Sequence, residues 1–152
     1  MLIRHYRPAD WSRLCAIHDA ARPHELSAAG LMDAFLTLEQ TAAGEGLFDG
    51  TLIVAELDDE VQGFAAWHDG ELTWLYVDPK RHRSGIGRAL LRHVIEANPG
   101  RLSTEVLLGN EPALALYLAE GFVITRRADG KLAGNESFAA SGYQLSRSSG
   151  HP

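Results

Sequence analysis

Apolar and polar residues alternate from Leu2 to Arg7 and stop at Pro8, a period of two that predicts a short strand. Asp10 stands where a helix cap belongs. Trp11, Leu14, Cys15, Ile17 and Ala21 then recur near helical spacing and predict a helix that ends at Arg22-Pro23. Leu31, Phe35 and Leu38 predict a second helix, closed by Gly44 and Gly46. Three apolar-rich runs follow: Thr51 to Leu57, Val61 to His68 and Glu71 to Val77. Asp58-Asp59-Glu60 and Asp69-Gly70 separate them, and Asp-Gly is a strong two-residue hairpin signal, so the three predict an antiparallel meander.

Beyond Pro79 the period becomes helical, with Ile86, Leu90 and Val94 on an apolar row and Arg88, Arg92 and Glu96 on a polar one. Asn98-Pro99-Gly100 ends that helix. Leu102 to Leu108 predicts a further strand, and Asn110 caps a helix with Pro112 in its first turn and Gly121 past its end. Phe122 to Arg126 and Gly142 to Leu145 predict the final strands, with Ala128 to Ser141 as a turn-rich loop between them. Ser146 to Pro152 is expected to fray. The order β-α-α-β-β-β-α-β-α-β-β describes a mixed α/β single domain over residues 1–147, with 148–152 as a short polar tail.

Composition narrows the function classes. A chain of 152 residues with 45% apolar content suits one domain with a sizeable core. Its net charge of -6 argues against a basic nucleic-acid binder. The longest apolar run, Ala113 to Ala119, is far short of the ~20 residues that span a bilayer, so no membrane partner is expected. No secretory leader is visible in MLIRHYRPADW, which makes the cytoplasm the expected compartment. The single cysteine, Cys15, forms no intramolecular disulfide and fits a small buried position on a helix. Seven histidines without a paired ligand spacing predict no metal site.

The most specific local feature is LYVDPKRHRSGIGRALL, a strand that runs through Gly85-Ile86-Gly87 directly into an amphipathic helix. Glycines let backbone approach a ligand, and a helix start presents unpaired N–H groups suited to a phosphate. Lys80, Arg81, Arg83 and Arg88 add local positive charge to an acidic chain. The same spacing also fits a plain strand-to-helix turn with solvated charges. A P-loop is excluded by the absence of its Gly-Lys-Ser/Thr run, and a dinucleotide fingerprint by the bulk of Leu90 at its third small position.

The segment His82-Arg83-Ser84-Gly85-Ile86-Gly87 resembles motif A of the general-control-type N-acetyltransferase (GNAT) superfamily, Gln/Arg-x-x-Gly-x-Gly/Ala. Asn110 to Phe122 is similar to motif B, Asn-x-x-Ala-x-x-x-Tyr-x-x-x-Gly-Phe, with Asn110, Ala113, Tyr117, Gly121 and Phe122 in place. His82 departs from the family pattern. A neutral imidazole there still donates one hydrogen bond, and Arg81 or Arg83 supplies charge. The resemblance implies the GNAT fold, a central, mostly antiparallel mixed sheet of about six to seven strands flanked by about four helices. It also implies acetyl-CoA as donor and co-substrate, a primary amine on a small molecule or protein as acceptor, and direct attack without a covalent enzyme intermediate. On the same resemblance, Leu75, Tyr76 and Val77 hold the pantetheine arm through the backbone, and His82, Arg83, Ser84, Gly85, Ile86, Gly87 and Arg88 receive the pyrophosphate. Asn110 and Tyr117 flank the donor, and Tyr117 protonates the departing sulfur. The edge strands of such a fold leave room for a homodimer.

Acetyl transfer to an amine also needs the amine neutral. Deprotonating a lysine-like amine at pH 7 costs roughly 4–5 kcal/mol, an α-amine only about 1. Glu105, in the predicted strand Leu102 to Leu108, projects away from the face of Thr104 and Val106. Some GNAT enzymes place a catalytic glutamate at this offset, which makes Glu105 the first candidate base; a solvated strand position is the alternative. Glu71 and His68 are further candidates. Glu25, Phe35, Trp67, Phe138 and Tyr143 are candidates for an acceptor pocket. A non-catalytic acyl-CoA-binding module on the same fold is the competing function; retention of both Tyr117 and Glu105 favours the enzyme.

Overall fold

The computed structural model describes residues 1–148. Its chain runs through β1 (Leu2–His5), α1 (Trp11–Ala28), α2 (Leu38–Thr41), β2 (Thr51–Leu57), β3 (Glu60–His68), β4 (Glu71–Val77), α3 (Ile86–Ala97), β5 (Arg101–Leu107), α4 (Glu111–Ala119), β6 (Val123–Lys131) and β7 (Ala139–Ser148). The strands form one sheet in the order β1-β2-β3-β4-β5-β7-β6, antiparallel except between β4 and β5. Among the described residues no helix is long and apolar enough to cross a membrane.

The meander forms as its turns dictate. Asp58 and Asp59, and again Asp69 and Gly70, take positive φ at adjacent positions, the backbone that a two-residue hairpin needs. β2 is buried on both faces, which is why TLIVAEL reads as a continuous apolar run. Leu52 and Val54 meet Leu14, Ile17 and Leu38 from α1 and α2, whereas Ile53 and Ala55 meet Ile86, Leu90 and Val94 from α3. Gly63 lets α3 lie close on β3: a Cβ there would stand 3.0 Å from Ile86 Cγ2 and 3.0 Å from the Tyr76 carbonyl oxygen.

Several expectations are corrected. α1 does not stop at Arg22-Pro23 but continues to Ala28 with Pro23 inside it. Pro23 removes only its own N–H bond to the Asp19 carbonyl, and the burial of Leu26 rewards continuation. Asp10 precedes α1 but makes no side-chain cap; its carboxylate instead accepts from Arg4 and from the Arg7 N–H. The helix expected over Leu31 to Leu38 is a 3₁₀ turn, Met32–Ala34, followed by the four-residue α2, whose Thr37–Gln40 capping box fixes a new start. The loop expected from Ala128 to Ser141 is shorter, residues 132–138, since β6 and β7 pair from Val123↔Ser146 out to Lys131↔Ala139. Ser146 to Ser148, expected to fray, pair with Arg101 to Ser103. The remainder of the expected tail, 149–152, lies outside the described residues. Cys15 is half-buried on α1, packed against the α1-side core.

Candidate active site

β4 and β5 run together only at Glu71↔Ser103 and Leu72↔Thr104, then part. The joined end is fastened by the Ser103 N–H donating to the Gly70 carbonyl at 2.9 Å and by Thr104 Oγ1 donating to the Leu72 carbonyl at 3.0 Å. Immediately beyond lies a bulge: Trp67 pairs with Leu72 and Ala66 with Trp74, leaving Thr73 as the extra residue of β4. The bulge resets the side-chain alternation. Trp74 and Tyr76 turn toward α1, and Leu75 and Val77 toward α3. The Asp78 N–H bonds the Gln62 carbonyl, so the backbone groups of Tyr76 face β3, and alternation leaves those of Leu75 and Val77 aimed into the opening. A cleft of about 1550 Å³ passes through this parting of the sheet.

At one end of the cleft stands the N-terminus of α3. Gly85, its N-cap, has φ +81 and no side chain to cap the helix, so the first-turn N–H groups face outward without a protein acceptor. Arg83 also takes the left-handed conformation, at φ +67, uncommon for a residue with a Cβ and a feature that clusters at ligand-binding turns. The Ser84 hydroxyl turns back onto the Arg81 carbonyl. Arg81 pairs with Asp58 at 3.3 Å, an exposed contact that an arriving anion can displace, and the half-exposed Arg88 pairs with the largely buried Glu120 at 3.3 Å. His82 is exposed on the same turn. Uncapped amides, positive charge and free β4 edge groups together fit an acyl-CoA, whose pyrophosphate suits the helix start and whose amide-bearing arm suits a strand edge. The contrast with α4 supports this, because there Asn110 Oδ1 does accept from the Ala113 N–H.

Tyr117 projects from α4 into the middle of the cleft, 6% exposed, with its ring 5.4 Å from that of Phe122. Burial pushes its phenol up to about 12, with the Thr104 hydroxyl working in the opposite direction and the charge of Glu25 adding to the rise. Tyr117 therefore holds its proton throughout the physiological range. Glu105 lies on the other face of β5 from Thr104, as expected, and is exposed at the cleft rim. Its Oε1 accepts from Gln144 Nε2 at 2.9 Å, and Gln144 Oε1 accepts from Arg126 Nε at 2.6 Å, a chain across β5, β7 and β6.

Of the acceptor candidates, Glu25 and Tyr143 line the cleft. Phe35 and Phe138 instead pack against a small core of Leu26, Ala34 and Leu132, and Trp67 against the α3-side core. Glu71 lines the cleft, whereas His68 pairs with Asp69 at the hairpin. Sequence reasoning missed Arg22, His18, Gln144 and Thr104. His18 is buried beside Tyr76, ring centroids 5.1 Å apart, and burial lowers its basicity against the opposing pull of Asp19. No short motif marks these residues, which the fold brings together from distant segments.

A family model described as an acetyltransferase (GNAT) domain matches residues 48–124, from just before β2 into β6. The peptidyl-lysine N-acetyltransferase YiaC of Escherichia coli is 40% identical over 72 residues, 47% of this chain and 49% of that protein. The chain thus matches about half the length of that relative. The peptidyl-lysine N-acetyltransferase YjaB of Salmonella typhimurium is 31% identical over 100 residues, 65% of this chain and 68% of that protein. The structure of yncA from Salmonella typhimurium with its cofactor acetyl-CoA superposes with a TM-score of 0.71, covering 100% of this chain and 95% of that one at 20% identity. At that identity the likeness speaks for the fold. With the family model matching half of it, this chain belongs to the GNAT acetyltransferase family.

Proposed function

We propose that this protein is an N-acetyltransferase that moves an acetyl group from acetyl-CoA to a primary amine of a peptide or protein, within a ternary complex. The observation that carries it is the parting of β4 from β5 between the uncapped start of α3 and the buried phenol of Tyr117. A donor laid along Leu75 and Val77 would bring its thioester to the place where Tyr117 keeps a proton to give. The relatives YiaC and YjaB are peptidyl-lysine N-acetyltransferases, which favours lysine as acceptor. Glu105 lines the cleft yet is exposed, which suits a substrate too large to be enclosed.

Bound acetyl-CoA supplies the activated acyl carbon. The chain's residues do the rest: the first-turn N–H groups of α3 and the side chains of Arg83 and Arg88 hold the pyrophosphate, and the free Val77 N–H polarises the thioester carbonyl. Tyr117 protonates the leaving sulfur. Glu105, at the exposed rim, takes the amine's proton through water and releases it to solvent. Incubating the protein with acetyl-CoA and an N-terminally blocked lysine peptide, then weighing the peptide by mass spectrometry, tests the proposal. One acetyl group on the peptide supports it; acetyl-CoA binding without modification of lysine or α-amine peptides moves the reading to a binding module.

Two variants probe individual parts. Glu105→Gln is expected to depress activity most at low pH and to recover as pH rises and the amine deprotonates on its own. A uniform loss at every pH would assign Glu105 a structural role through Gln144. His82→Gln should keep acetyl-CoA affinity and His82→Glu should weaken it in a calorimetric titration. Equal affinity for both and for wild type would remove His82 from the donor site.

A further inference from the structure

Among the carboxylates that line the cleft and stand outside this scheme, Glu25 carries an unpaired buried oxygen. Glu25 lies on the last part of α1, the segment that exists only because the helix runs on through Pro23. Gly109, at φ +99, allows that segment to dock against the turn into α4: a Cβ on Gly109 would stand 2.5 Å from the Ala28 carbonyl oxygen. Docking brings Glu25 Oε2 to 3.3 Å from Asn110 Nδ2, from which it accepts a hydrogen bond. Its other oxygen, Oε1, is fully buried and accepts none; Arg22 Nη1 is 3.5 Å away, without hydrogen-bond geometry.

A buried carboxylate oxygen without a donor is costly, and such an atom calls for a reason, of which a donor arriving with a ligand is one. The location says which ligand. Glu25 lines the same cleft as Tyr117 and Tyr76 and accepts from Asn110 at the start of α4, which sets it at the inner end where the acyl group would be transferred; burial is the main cause of the two raised phenols, and the charge of Glu25 adds to it. Glu105, by contrast, is exposed at the rim and already bound to Gln144. Tyr76 and His18 stand near Glu25, burial lowering the basicity of His18, and Arg22 is the cation paired with the carboxylate.

 An arriving ammonium group would give Oε1 the donor it lacks and balance the carboxylate that Arg22 only partly neutralises.

We propose that Glu25 is a specificity-determining residue that receives the ammonium group of the acceptor on its free Oε1 and so sets the amine before the acyl carbon. The assignment rests on the acetyltransferase reading above. It gives the two carboxylates different tasks: Glu25 binds the amine at the inner end, and Glu105 carries its proton away at the rim.

Glu25→Gln keeps the shape of the side chain and removes its charge. With an N-terminally blocked lysine peptide as probe, its KM for the peptide is expected to rise roughly ten- to hundredfold, the range for a hydrogen bond between charged groups. Its kcat should stay within about threefold and its acetyl-CoA affinity should match wild type, because the interaction is one of binding. Glu25→Asp, which keeps the charge on a shorter arm, should fall between the two. A purely structural bridge to Asn110 would instead lower melting temperature and acetyl-CoA affinity and leave the peptide KM in place, and that result overturns the assignment. So does an unchanged peptide KM in a well-folded Glu25→Gln protein that turns over. A wild-type protein that binds acetyl-CoA but acetylates no peptide overturns the acetyltransferase reading itself, and the assignment falls with it.

Discussion

Tyr117→Phe is expected to lower kcat by roughly a hundredfold or more, within the range for a lost general acid, and to leave acetyl-CoA affinity within about twofold. The ring of Tyr117 fills its site against Phe122, and phenylalanine keeps that packing. Only the hydroxyl is lost. Because burial holds the phenol at about 12, the wild-type proton is present at every pH a cell uses, and activity should not decline for want of it until strongly alkaline conditions. The sign follows from the direction of the shift: a raised value means the protonated form persists as pH climbs. Steady-state rates of wild type and variant across about pH 6 to 9, a working range about the ordinary histidine and α-amine values, check this. An unchanged kcat would remove Tyr117 from the chemistry.

Gly85→Asp is expected to abolish donor binding while sparing the fold. The position has φ +81, which an L-residue adopts at a cost of roughly 1–2 kcal/mol, yet nothing stands within 4 Å of an added Cβ. The penalty is conformational rather than a collision. The new carboxylate would sit beside the uncapped first turn of α3, where it can accept from the same N–H groups and meet the helix dipole favourably. It would fill the anion site with the protein's own charge. Acetyl-CoA should therefore raise the melting temperature of wild type and leave that of Gly85→Asp unmoved, ligand stabilisation scaling with occupancy of the folded state. An equal rise in both proteins would place the donor elsewhere.

Local signals made much of this fold legible. The hairpins at Asp58-Asp59 and Asp69-Gly70, the Asn110 cap and the amphipathic α3 each depend on residues within a few positions of one another, and each forms as read. Elements decided by distant contacts were not legible. Pro23 looked like a stop because its own chemistry disfavours helix interiors, but Leu26 packing against Ala34 and Leu132 carries α1 onward. Asp129 and Gly130 looked like a turn, yet pairing with Ser141 and Ala140 on β7 holds them in strand. The Thr73 bulge leaves no mark in an apolar run, although it redirects Tyr76 toward α1 and Leu75 toward α3.

The site divides in the same way. Gly85, Asn110 and Tyr117 lie in contiguous motifs whose spacing is itself the signal. Glu25 and Asn110 are separated by 85 residues in sequence and meet only through the docking of α1 against Gly109. Gln144 reaches Glu105 from 39 residues away across the pairing of β5 with β7, which no local signal specifies.

Initial-rate measurement of free CoA release, with acetyl-CoA and a lysine peptide both varied, tests the central claim most directly. A ternary complex formed in the cleft between β4 and β5 predicts release that requires both substrates and reciprocal plots that intersect. Release without peptide, parallel plots that signal a covalent acyl-enzyme, or no release from any amine would contradict it.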